Sequence, residues 1–165
     1  MRMLLAGVLF ASTAYADATP PAAAGNEAVA VARAWLNALA ADGDMPKLAA
    51  RTSLPFRLDW EISHCLSNSR DAAELAKLVA CATKESFAGT VKYESTPLPL
   101  EIVKAKKLKK PLRVKLKPQD AAATLVHGRV DGDGETFDFV LLLRRADAGA
   151  PLRVSGLLID SDVFE

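Results

Sequence analysis

The chain is poor in most of what site chemistry uses. It holds two cysteines, two histidines and two tyrosines in 165 residues, and aromatic residues make up 6% of it. Neither a C-x-x-C nor an H-x-x-x-H spacing occurs. Structural zinc sites need four ligands, so no metal site is expected. A G-x-S-x-G elbow, a P-loop and a dinucleotide fingerprint are also missing, and no cofactor is expected. Charge of one sign is not in excess either, with a formal net charge of +1.

Long hydrophobic runs are absent too. The opening run MLLAGVLFA (3–11) falls well short of the roughly 20 residues that span a bilayer. Arg2 precedes it, and STAYA follows it, ending in Ala14-Tyr15-Ala16, the small-x-small pattern that signal peptidase accepts. Residues 1–16 are therefore expected to be a cleaved secretory signal, with the mature chain starting at Asp17. No cysteine follows the run to accept lipid. The expectation is a periplasmic or secreted protein with no membrane span after cleavage.

The Pro- and Ala-rich residues 17–25 read as a flexible lead-in. Residues 26–165 hold no linker and no repeat, and are long enough for a single domain with its own core. Ala28, Val31, Ala32, Trp35 and Leu39 recur at helical steps, with Asn26 placed to cap the helix and Gly43 to end it. MPKLAART reads as a short second helix or a turn. In FRLDWEI, Phe56, Leu58, Trp60 and Ile62 alternate with Arg57, Asp59 and Glu61, the pattern of a strand with one buried side. Asp71 and Glu74 have capping-box spacing before a helical face of Leu75, Leu78, Val79 and Ala82.

After Lys92 the pattern is strands. LPLEIVKA and LRVKLK flank a lysine-rich turn, DGDG joins ATLVHGRV to ETFDFVLLLRR as a hairpin, and PLRVSGLLID comes last. Phe137, Phe139, Leu141 and Leu143 share one face, while Val140 and Leu142 on the other predict a strand covered on both sides at its middle. Helices grouped before a strand meander imply an α+β fold, its helices packed on one face of a curved antiparallel sheet.

In an exported chain an even count of cysteines pairs by default. Cys81 stands about 15 Å along its helix from Asp71, and LSNSR can cover that distance if nearly extended. A Cys65–Cys81 disulfide is expected, closing a loop worth about 3 kcal/mol in the chain-entropy model. The adjacent His64 and Cys65 would point to opposite faces of a strand and so do not form a ligand pair. DGDGETFD departs from a calcium loop, with Thr136 where position six needs Gly, and reads as a turn.

One stretch departs from an average surface. Residues 104–117 carry eight basic residues and no acid: Lys104, Lys106, Lys107, Lys109, Lys110, Arg113, Lys115 and Lys117. Such a patch suits an anionic partner, in a salt-sensitive way, or a lysine edge that discourages strand-to-strand association. No aromatic residue interleaves it, which argues against single-stranded nucleic acid, and no nucleic-acid partner is expected.

The opening VARAWLNALAADGDMPKLAA, then LPFRLDW, and the late strands ending LRVSGLLID resemble in pattern and order the nuclear transport factor 2-like superfamily, shared with ketosteroid isomerase and polyketide cyclases. The resemblance covers nearly all of residues 26–162. It implies a cone-like roll with a cavity between sheet and helices, lined on grounds of face and size by Trp35, Phe56, Trp60 and Phe137, with His64 at the mouth. Ketosteroid isomerase uses an aspartate base with a tyrosine and a protonated aspartic acid. The mature chain has Tyr93 as its one tyrosine, and Asp59, Glu61 and Asp138 alternate away from the core, so no catalytic set maps onto it. The function expected is a non-enzymatic domain that binds a small apolar ligand or supports an interaction surface. An isomerase- or dehydratase-type enzyme, or an anionic-partner module built on the lysine-rich hairpin, are the alternatives.

Overall fold

A computed structural model of the chain describes residues 22–41, 45–60, 68–84, 98–104, 116–132 and 135–163. Helix α1 (Ala22–Ala40) leads, followed by α2 (Met45–Arg51), strand β1 (Thr52–Trp60), the short β2 (Asn68–Ser69) and helix α3 (Ala72–Lys84). Then come β3 (Leu100–Val103), a 3₁₀ turn (Pro118–Ala122), β4 (Thr124–Gly132), β5 (Glu135–Arg144) and β6 (Arg153–Val163). The fold is α+β.

Of the expected face of α1, Ala28, Ala32, Trp35 and Leu39 are at most 1% exposed and Val31 is half-buried, and Leu36 joins them in the core. The helix begins earlier than expected, however. Ala22–Gly25 belong to it, so Asn26 stands inside the helix and not at its cap. Alanine's high helix propensity carries the turn that composition alone assigned to a lead-in. For α3 the expected start holds. The Glu74 N–H donates to Asp71 Oδ1 at 2.9 Å, a cap worth about 1 kcal/mol. The Glu74 carboxylate accepts from the Arg70 N–H at 2.6 Å, one residue further back than in a standard capping box.

The sheet runs in the order β2-β1-β6-β5-β4-β3. The four late strands are antiparallel neighbours: β4 and β5 pair as the expected hairpin, and β3 pairs with β4. Strand β1 joins them parallel to β6, which makes the sheet mixed where an all-antiparallel one was expected. A parallel pair needs a long crossover, and here nearly the whole chain between the first and last strands serves as one. Asn68 and Ser69 extend the sheet antiparallel to Arg57 and Phe56. Of the LRVKLK stretch, residues 112–115 lie outside the described residues, and Leu116 and Lys117 lead into the 3₁₀ turn without strand structure.

The sheet has two unequal faces. On the first, Phe56, Leu58, Val126, Phe137, Phe139, Leu141 and Leu157 meet the helices in one core. Gly128 belongs to this packing, because a Cβ there would fall 2.3 Å from Phe139 Cζ and 2.8 Å from Leu100 Cδ2. On the second face Leu125, Val140, Leu142 and Leu158 form a smaller cluster, with Val103, Leu116 and Ala123 packed on it. Strand β5 is thus covered on both sides at its middle. A register shift lets β6 serve both faces: Leu143 pairs Val154 and Leu142 pairs Gly156, leaving Ser155 as an extra residue. Its hydroxyl donates to the Leu142 carbonyl at 3.1 Å.

Candidate functional site

The second face carries the groups that the core does not absorb. A cleft of about 610 Å³ lies there, reaching the β3 edge of the sheet. Val103, Leu116, Ala123 and Leu125 supply much of its apolar wall, and Lys104, Lys117 and Asp120 its ionisable groups. The wall is built by two features of sequence. Alternation on β3 and β4 places Val103 opposite Leu125 on this face, and Pro118 opens the 3₁₀ turn that carries Asp120 over the sheet.

Asp120 is 4% exposed, and every bond it makes is specific. Its Oδ2 accepts from Arg57 Nη1 at 2.5 Å and from the Lys117 N–H at 2.7 Å, while Oδ1 accepts from Arg144 Nη2 at 3.2 Å. Arg57 also pairs with Asp59, and Arg144 donates to the Gln119 carbonyl. Arg57 was expected on an outward polar face of β1, but it is 8% exposed. The face it occupies is covered, because the 3₁₀ turn lies over it. Gly156 of the adjacent β6 gives it room: a Cβ there would sit 3.0 Å from both the Arg57 carbonyl oxygen and Leu142 Cδ1. The buried charges are paired and hydrogen-bonded, the condition under which burial of a charge is tolerated. Their joint effect is to clamp the turn to the sheet and form one side of the cleft.

Further along the same face, His127 lies between two carboxylates. Its Nε2 is 3.1 Å from Asp138 Oδ1 and its Nδ1 is 3.4 Å from Glu101 Oε1, and Arg129 Nη1 reaches Asp138 Oδ2 at 3.4 Å. The cluster joins β3, β4 and β5 through side chains. Asp138 does face away from the main core, as its alternation implied, and both His127 and Arg129 reach it.

The expected cavity lining comes together on the first face. Trp35 stacks on Phe56 with centroids 5.6 Å apart, and Trp60 meets Phe137 edge-on at 6.2 Å. All four side chains are buried in the core, at most 6% exposed. His64, Cys65, Lys106, Lys107, Lys109, Lys110, Arg113 and Lys115 lie outside the described residues, as do Ile62, Glu61 and Tyr93. Of the basic stretch, Lys104 and Lys117 are described, both exposed and both at the cleft. Cys81 on α3 is disulfide-bonded. Among the described residues no helix is long and apolar enough to cross a membrane, and no cluster of three or more metal-ligating side chains occurs.

Asp120 and Arg57 were not singled out from the sequence as site residues. Two signals pointed their way. A glycine inside the strand RVSGLLID marks a close approach, and KPQDAA has Pro then Asp in the order that starts a helical turn. Neither signal says which residues will meet. No protein-family model matches the chain, and no curated protein is significantly similar to it.

Proposed function

We propose that the protein is an exported, non-enzymatic binding domain of nuclear transport factor 2-like architecture, with the cleft on the second face of its sheet as the ligand site. The cleft carries this reading. Its volume falls within the roughly 300–1,000 Å³ of small-molecule sites, and its wall is mostly apolar with a few placed polar groups. The acid among its described lining residues, Asp120, is engaged by two guanidinium groups and a backbone N–H, an arrangement suited to holding a wall rather than moving a proton. The core aromatics Trp35, Phe56, Trp60 and Phe137 spend their surface on each other and on the helices.

A neutral fluorescent apolar probe, N-phenyl-1-naphthylamine, tests the site. The wild-type protein is expected to bind it saturably. Ala121→Trp, at an exposed lining position, should weaken it at least tenfold with the thermal midpoint unchanged. Absence of saturable binding, or equal binding by the variant, would refute the reading.

Export and the bridge are part of the same proposal. Cys65 is the other cysteine of the chain, and we take it as the partner of Cys81. Intact mass of protein secreted by a bacterial host should begin at Asp17 and fall two hydrogens short of the reduced form. A mass retaining residues 1–16, or full-weight thiols, would contradict it.

A further inference from the structure

We propose that the cleft selects a single-chain anionic amphiphile, a fatty carboxylate, with its head at Lys104 and Lys117 and its chain along Val103, Leu116 and Leu125. The inference rests on the cleft being a ligand site and adds the class of ligand. Three observations lead to it.

The cleft is apolar inside and cationic at its ionisable positions. Lys104 and Lys117 are exposed, whereas Asp120, the only acid among the described lining residues, already has the positive charges of Arg57 and Arg144 against it. Among the described residues the lining thus sets two exposed ammonium groups beside an acid that is already paired, a field that attracts an anion and repels a cation.

Those two lysines are also the first and last residues of the acid-free basic stretch 104–117. Both ends of that stretch reach one cleft.

The polar and apolar groups are segregated as an amphiphile requires. Val103, Leu116, Ala123 and Leu125 line the cleft as an apolar wall, backed by the buried Val140, Leu142 and Leu158. A small hydrophilic anion would leave that wall unused. A neutral hydrocarbon would leave the ammonium groups without a partner. A carboxylate on a hydrocarbon chain satisfies both.

Displacement of N-phenyl-1-naphthylamine by dodecanoate, dodecanol and dodecyltrimethylammonium separates the cases. Dodecanoate is expected to displace the probe at concentrations at least tenfold lower than the cation, and to lose that advantage as salt rises. In Lys104→Glu/Lys117→Glu the dodecanoate affinity should fall at least tenfold more than that of the neutral probe. In Lys109→Glu/Lys110→Glu it should fall less, since the head group is assigned to Lys104 and Lys117. Equal displacement by dodecanol, or full retention of dodecanoate by the first variant, overturns the anion assignment and leaves the apolar site standing. An equal loss in both variants overturns the placement of the head group. Anionic phosphatidylglycerol vesicles displacing the probe more strongly than dodecanoate would overturn the single-chain assignment. Failure of the probe itself to bind removes the ligand site, and this inference with it.

Discussion

Asp120→Ala is expected to destabilise the fold by about 3–5 kcal/mol, the usual cost of removing one partner of a buried ion pair. The cause is what remains. Arg57, its side chain 10% exposed, would lose its buried carboxylate partner, while the Asp59 it also pairs with is 40% exposed. Arg144, at 34% exposure, can turn toward water and contributes less of the loss. For a domain of this size the change corresponds to a drop of roughly 10 °C in thermal midpoint. Asp120→Leu combined with Arg57→Met should recover most of it, because an apolar pair of similar volume replaces a buried ion pair at little net cost. Denaturant unfolding of the two single variants and the double gives the coupling directly. Additive losses would mean that the pair does not clamp the turn to the sheet.

The second large effect is expected at Trp35, whose replacement by alanine should cost about 3–5 kcal/mol. This side chain is 1% exposed and joins three elements. Its ring stacks on Phe56 of β1, and its Nε1–H donates to Thr52 Oγ1 at 3.0 Å. The Thr52 hydroxyl in turn donates to the Leu48 carbonyl of α2 at 2.7 Å. Trp35→Phe keeps most of the apolar area and gives up the hydrogen bond, so its cost should be nearer 1 kcal/mol. Thermal or denaturant unfolding measures both. A loss in Trp35→Ala below about 1 kcal/mol would show that the site is not packed as described.

The contrast between these two residues shows what the sequence could disclose. Trp35 was legible because helical periodicity places it with Ala28, Ala32 and Leu39, and periodicity is local. The alternation of Phe56, Leu58 and Trp60 was legible for the same reason, as were the two apolar faces of β5. Arg57 was misread because alternation says which side of a strand a residue takes, and not whether another segment covers that side. Its cover comes from a turn 63 positions later. The parallel placement of β1 beside β6 was hidden in the same way, since no local pattern distinguishes an edge strand from one paired with the end of the chain. At the N-terminus, Asn26 was chosen as a cap by residue type alone, while the alanines before it were already sufficient for helix.

The cleft itself was half visible. The basic stretch was conspicuous by composition, and Val103 and Leu125 lay in recognisable strands. What could not be read was that Lys104 and Lys117, thirteen positions apart, border one apolar hollow. That depends on the β3–β4 register and on the clamp at Asp120.

The most direct measurement is a methyl and indole NMR titration of the labelled protein with dodecanoate. A ligand in the cleft should shift the methyl signals of Val103, Leu116, Ala123 and Leu125, leaving the Trp35 and Trp60 indole signals in place. Shifts centred on the two indoles, with the cleft methyl groups unmoved, would put the ligand between helices and sheet and contradict the site proposed for this fold.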